Sequence, residues 1–440
     1  MKVKILLGTI ICIHVSHGFC QSRFSRLDSA LAVLGREEMF HGQVLVIEQD
    51  EVKFEKAYGV ETDGRPYTLD TPIEVHSVAK MFTALAVMIL VEDGDLKFED
   101  PITKFFPSLP YEEVTIRHLL NHSSGLPRFF QTVFDHWPTD RLLTNNDLIE
   151  LVEKYRPKAT SKPGETEQYN QTGYMLLGSI IDKVSGRTYE QFLRERIFKP
   201  AGMNGTFHRM EDEKSVKAIG VVDIDNLFNA MRGDGNMFST VKDLAKLDHA
   251  LSAGAIIENE VLQDAYVAMT LANGKRGRYG FGCSLLNTSS GKRVVQHMGQ
   301  GTTANAIFTR FIDAHDAVIV LHAESVQYAY PVYEMIKNIR NGRPFTMPVK
   351  TVVHQIDQRL LHKYVGNYGE NGYMHLTVEN GKLFIQSDGN PGKMEIVPSS
   401  DTTFYFADQP VDWQIYLDKD GSVIGFGPLG ERKEMMIRQE

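Results

Sequence analysis

The chain reads as an α/β (α+β) protein: an antiparallel sheet flanked by helices, an inserted helical domain, and a C-terminal all-β, barrel-like module. Three observations predict this. Strand-like runs stand at both ends of the first 340 residues. Helical periodicity dominates the interval from about 100 to 255. Beyond about residue 358 the texture changes to short alternating runs divided by turn residues. Strands at both ends imply one sheet built from both, with a cleft between the α/β part and the helical part. At 440 residues the chain exceeds one small core and predicts two or three folded units.

The N-terminus has the pattern of a leader. Met1-Lys2-Val3-Lys4 is basic, residues 5–15 are apolar, and Gly18-Phe19-Cys20 offers small residues at −3 and −1. Residues 1–20 are therefore expected to be a signal peptide cleaved before Gln21. The apolar run is too short to span a bilayer. Phe19 directly before Cys20 fits a lipoprotein signal poorly. The expected destination is secreted or periplasmic, with no membrane span. Of three cysteines, Cys12 and Cys20 fall in the leader, so Cys283 alone is left and no internal disulfide can form. Cys283 reads as a core residue of a strand-like run. The net charge is −9, or −11 once Lys2 and Lys4 are lost (−9 − 2), which excludes a nucleic-acid binder as partner.

In order, residues 43–48 and 52–58 form a hairpin of strands around Gln49-Asp50-Glu51. Residues 81–91 are a core helix. Gly94 and Pro101 break the chain, and a short helix begins at 114–120. Helices follow at 144–155, 172–185, 189–197 and 241–251, two of them ending at Gly186 and near Gly202. Strand character returns at 279–286, 293–296, 305–311 and 317–322, and a helix at 330–339 closes the unit. The main domain thus spans 21–340, with its helical insertion at about 100–255. Residues 341–357, opening with Asn341-Gly342-Arg343-Pro344, are a linker. The module at 358–440 has strands at 373–378, 383–386, 403–406, 413–417 and 435–438, with Trp413 and Tyr416 as core residues.

The organising stretch is Ser77-Val78-Ala79-Lys80 at the entry of the buried helix. Positions i and i+3 share a helix face, which puts an amine beside a hydroxyl. A hydroxyl becomes a useful nucleophile when a neighbour takes its proton, and an amine in an apolar site can do so. The same spacing recurs at Ser239–Lys242 and Ser289–Lys292. The first looks like a helix start, with Thr240 and Asp243 spaced as a capping box, and the second lies in a polar turn. Ser77 alone leads into a long apolar helix, and its competing reading is an ordinary N-cap.

Two other stretches belong with it. Tyr169-Asn170-Gln171 places a phenol and an amide at a helix start, and His297-Met298-Gly299 carries a strand into a glycine-rich edge. Together with Ser77-Val78-Ala79-Lys80 these are similar, in order and spacing, to the three motifs of the serine β-lactamase/penicillin-binding-protein family. They resemble most its class C branch, which includes esterases and D-aminopeptidases. Residues 117–127 and 199–203 look like further stretches of the same family, so the resemblance runs through most of 38–340.

The resemblance implies a β-lactamase/transpeptidase-like fold and a serine hydrolase. Ser77 would be acylated, with Lys80 and Tyr169 as general base and then acid. The oxyanion would lie between the backbone N–H groups of Ser77 and Gln300, with Gly299 letting the strand edge approach the substrate. Gln171 and His297 would contact substrate. Two positions depart from the family pattern. Gln171 stands where Asn is usual, and His297 stands where true β-lactamases carry a lysine suited to a carboxylate. A histidine is charged only part of the time near neutrality, which favours ester, amide or D-amino-acid-containing peptide substrates. The alternatives on this fold are a β-lactamase or D,D-carboxypeptidase, and a non-catalytic binding protein. The expected partner is a small-molecule or peptide substrate, cell-wall material included. No cofactor is expected and no metal: His118 and His122, four apart, lack a third ligand. The sequence leaves the oligomeric state open.

Overall fold

A computed structural model describes residues 23–138, 141–211, 227–287, 291–301, 303–323, 328–348, 353–369, 372–387, 393–406 and 412–439. The expected leader and Ser289 lie outside the described residues.

The main sheet has six antiparallel strands in the order β2-β1-β9-β8-β7-β6. They are β1 (Gly42–Glu48), β2 (Glu51–Tyr58), β6 (Ser284–Asn287), β7 (Arg293–Gln300), β8 (Asn305–Phe311) and β9 (Asp316–His322). The two ends of the unit meet directly, with Gly42 opposite His322 in the β1–β9 ladder. Alternation along the strands divides the core into two layers. Leu45, Ile47, Phe308, Ile319 and Leu321 pack against the central helices Ala79–Glu92, Gln171–Ser185 and Val241–Ser252. Val44, Val46, Ile307, Val318 and Val320 pack against the Ala329–Arg340 helix and a helix over 23–36. The sheet therefore has helices on both faces.

Two expectations about the main domain are corrected and one is refined. The run at 279–286 becomes strand only from Ser284, because Gly282 takes φ +70° and the Gly280 N–H bonds the Cys283 carbonyl in a turn. The inserted region is mainly helical, as expected, and also carries two short strands. Within it β4 (Phe207–His208) and β5 (Met237–Ser239) form a three-stranded sheet with β3 (Ile73–Glu74), in the order β3-β5-β4. Phe207 and Phe238 stack at 5.3 Å to fix it. Helix 189–197 breaks into Tyr189–Leu193 and a wider π turn, Arg194–Phe198.

Residues from 358 onward build an eight-stranded antiparallel sheet whose strands neighbour one another in sequence order. A bridge between Tyr368 and Arg438 brings its first and last strands together, so it is nearly a closed barrel. The module is not wholly β. A helix, Gln358–Tyr364, capped by Asp357, buries Leu361 and Tyr364 among Leu376, Ile385, Ile396, Phe404 and Phe426. Strands Gly366–Tyr368, Met394–Pro398 and Val423–Pro428 add to those expected.

Candidate active site

The Ala79–Glu92 helix is buried almost all round, from Phe82 through Leu90, as its apolar sequence requires. Ser77 precedes it rather than opening it. Residues His76–Val78 form a 3-10 turn, entered by His76 in the left-handed region at φ +43°. The N-cap positions of turn and helix are Val75 and Val78, and neither makes a side-chain cap bond. Ser77 is thus not an N-cap, and its hydroxyl is available for other work.

Lys80 is fully buried. Its Nζ donates to Ser77 Oγ at 3.1 Å and to the Asp234 carbonyl oxygen at 2.7 Å. It also lies 5.2 Å from the centre of the Tyr169 ring and 5.7 Å from that of Tyr174. A buried amino group is tolerable only with such partners. The Asp234 loop is set by close backbone packing. Gly233 takes φ +102°, a Cβ there would stand 2.1 Å from the Tyr174 carbonyl oxygen, and the Thr83 hydroxyl donates to the Gly233 carbonyl at 2.6 Å. Burial raises the Asp234 carboxyl above the usual range, and Lys80 partly offsets this.

Tyr169 stands at the entry of the Gln171–Ser185 helix. Asn170 caps that helix by accepting from the Thr172 N–H at 2.9 Å, while its amide donates to the Leu126 carbonyl at 2.6 Å. The Asn170 N–H donates to His122 Nδ1 at 3.2 Å. The His122 ring, reached through a left-handed backbone at φ +59°, lies 4.5 Å from Tyr169, 5.1 Å from Tyr174 and 4.9 Å from Tyr279. Burial above all, aided by Lys80 and His297, holds its pKa well below the usual imidazole value. With Nδ1 accepting, His122 is neutral and structural. His118 likewise completes the helix cap of Thr115, its Nδ1 lying 3.0 Å from Thr115 Oγ1. Among the described residues no group of three His, Cys, Asp or Glu is arranged to hold a metal.

On β7, Val295, His297 and Gly299 alternate toward the central helices. The His297 ring is 6.2 Å from that of Tyr169. Its Nδ1 lies 3.0 Å from the Met298 carbonyl oxygen. A carbonyl only accepts, so Nδ1 carries the proton and Nε2, buried and without a hydrogen-bond partner, presents a lone pair. Burial first and Lys80 second push its pKa down to about 3. The expectation of a partly charged histidine is thus corrected: His297 is neutral at physiological pH. Gln171 is half-buried, and its Oε1 is another buried acceptor without a partner.

The role expected of Gly299 also changes. A Cβ there would stand 2.0 Å from the Val75 carbonyl oxygen, so the glycine admits the backbone leading into Ser77. Gln300 follows at the exposed end of β7, paired with Asn305 of β8. The competing Ser239–Lys242 pair is structural. Ser239 Oγ bonds Thr206 Oγ1 at 2.8 Å, and Lys242 reaches out to Asp70 at 2.9 Å.

Ser77, Lys80, Tyr169 and His297 therefore share one cluster, with Lys80 and His297 buried and Ser77 and Tyr169 partly so, although they come from three segments. An alcohol, an amine and a phenol so gathered are the parts of an acyl-transfer site. Sequence reasoning missed Asp234, Tyr174 and Tyr279, and weighed His122 only as a metal ligand. The signals available were the Gly233-Asp234-Gly235 turn and the unusual histidine in Asn121-His122-Ser123.

Comparison with known proteins agrees with this geometry. The family model described as Beta-lactamase matches residues 33–329. A relative named penicillin-binding protein 4* from Bacillus subtilis (strain 168) is 30% identical over 91% of this chain and 96% of its own length. A D-aminopeptidase from Brucella anthropi is 27% identical over 59% of this chain and 51% of its own. Among solved structures, an octameric penicillin-binding protein homologue from Pyrococcus abyssi superposes with a TM-score of 0.63 at 23% identity, covering 94% of this chain and all of that one.

Proposed function

Because this chain belongs to the Beta-lactamase family and is a serine hydrolase, we propose that it is exported and hydrolyses an ester, an amide or a D-amino-acid-containing peptide through an acyl-enzyme on Ser77. The observation that carries the reading is the 3.1 Å contact between Lys80 Nζ and Ser77 Oγ, beneath the Tyr169 ring. Lys80 and Tyr169 together take the Ser77 proton as the hydroxyl attacks the carbonyl carbon, and return it to the departing amine or alkoxide. The N–H groups of Ser77 and Gln300 receive the oxyanion. Water, activated by the same pair, then releases the acyl group.

His297 supports the choice of substrate. A neutral ring whose free nitrogen is an acceptor offers nothing to a carboxylate, whereas it suits a donor such as an amide N–H or an amine. The reading that cell-wall-derived peptides are the natural source rests on the leader pattern and on the relative's name. A second reading, acylation of Ser77 by penicillins, is favoured by the name of the Bacillus relative that matches nearly the whole chain.

The test is turnover of nitrophenyl esters and D-aminoacyl anilides by wild type and Ser77→Ala. Loss of turnover in the variant supports the reading, and full activity removes it. Labelling by a fluorescent penicillin that outpaces ester turnover would favour the second reading.

A further inference from the structure

We propose that His76 is a positioning residue: its side chain is a wedge that sets the separation between the two backbone N–H groups of the oxyanion site, those of Ser77 and Gln300. The inference rests on the reading of Ser77 as nucleophile.

The wedge has a base and an edge. At its base the buried Glu74 carboxylate lies 3.8 Å from His76 Nδ1 and accepts from Arg209 Nη2 at 2.6 Å. Arg209 is itself tied by its backbone N–H to the Asn236 carbonyl, and Glu74 belongs to β3, pinned by β5. At its edge the imidazole lies against the backbone of Gly301. A Cβ on Gly301 would stand 2.2 Å from the ring Cε1 and 2.3 Å from Nε2. Gly299 rests on the same short segment, where a Cβ would stand 2.0 Å from the Val75 carbonyl oxygen and 3.2 Å from His76 Cβ. The residues on either side of Gln300 are therefore both seated on Val75–His76, with nothing larger than glycine fitting between.

His76 also adopts φ +43°, a backbone region that non-glycine residues enter only when their surroundings dictate it. Its surroundings do so, through Glu74 below and Gly301 above. Ser77 is the next residue, so the same side chain sets the turn that presents one oxyanion donor and the strand end that presents the other. Oxyanion donors act only when aimed within a few tenths of an ångström. A misplaced strand end thus slows acylation while leaving ground-state binding largely intact.

The experiment is a double-mutant cycle with His76→Gly and Gly301→Ala, read by single-turnover acylation with a nitrophenyl ester and by KM. The added methyl of Gly301→Ala occupies the space that His76→Gly vacates. Each single variant is expected to slow acylation about 10- to 100-fold, with KM changed less than about threefold. The double variant is expected to be at least about 10-fold faster than the product of the two losses. His76→Asn tolerates the left-handed turn but is too short to reach Gly301, and is expected to slow acylation as His76→Gly does. Tm and near-ultraviolet circular dichroism of each variant exclude unfolding as the cause.

Strictly additive losses, or a His76→Gly variant acylated at the wild-type rate, overturn the inference. If Ser77→Ala is inactive and the cycle is additive, the wedge alone is wrong. If Ser77→Ala keeps full turnover, the nucleophile and the wedge fall together.

Discussion

Lys80 Nζ donates to Ser77 Oγ at 3.1 Å from a position with no exposure to solvent. Its other acceptor is a backbone carbonyl, that of Asp234 at 2.7 Å, and its other neighbours are two aromatic faces. No carboxylate is paired with it at salt-bridge distance among the described residues. The amine is thus directed at the alcohol rather than neutralised by an acid, an arrangement that serves proton transfer better than stability.

Lys80→Met should separate these two effects. Removing the amine is expected to lower kcat/KM by about a thousandfold or more. The cost of burying a polar amino group disappears at the same time, so Tm should stay level or rise. Thermal unfolding and ester turnover on one preparation check both.

Tyr169→Phe keeps the ring that packs between His122, Tyr279 and His297 and removes only the hydroxyl. The fold should be unaffected. Loss of a general acid–base partner is expected to reduce kcat about 100- to 10,000-fold, measurable by steady-state kinetics.

His297 gives a pH prediction with a definite sign. Its folded pKa, about 3, lies below the ordinary value of 6.5. Below pH 6.5 the unfolded chain takes up a proton that the folded one refuses, so this contribution to stability is complete above pH 6.5 and is lost as pH falls toward 3. His297→Gln should flatten the stability profile in that window by at most one proton, about 1.4 kcal/mol per pH unit. The same substitution should leave the pH profile of kcat/KM unchanged between pH 5 and 8, because the ring stays neutral throughout. Denaturant melts at several pH values and a pH–rate profile test the two statements.

Gly299→Ala forces a methyl to within 2.0 Å of the Val75 carbonyl oxygen, where only backbone can yield. A destabilisation of about 1–3 kcal/mol is expected, with a loss of activity from the displaced Ser77 turn. Urea denaturation and turnover measure them.

Much of this was legible in the sequence, for reasons that differ by residue. The strands of the main sheet were readable because Val, Ile and Leu run together where both faces are covered. The helix over 23–36 carried its signal in Phe24, Leu27, Leu31 and Leu34 and was overlooked beside the leader. β4 and β5 are two and three residues long, too short for any alternation to register. Ser77 and Lys80 were visible as an i, i+3 pair, but two other pairs share that spacing. Tyr169 and His297 could be joined to them only through resemblance, since nothing local ties residues 90 and 220 positions away. Asp234 contributes a carbonyl, which every residue type possesses, so only the flanking glycines of Gly233-Asp234-Gly235 mark its place in the sequence. The charge state of His297 depends on burial by distant segments and was misjudged for that reason.

The central claim is tested most directly by mass spectrometry of the protein after reaction with a fluorophosphonate. The account predicts one phosphonyl adduct, located by peptide mapping on Ser77, formed much more slowly in Lys80→Met and absent in Ser77→Ala. An adduct on a different residue, with turnover surviving in Ser77→Ala, would contradict it.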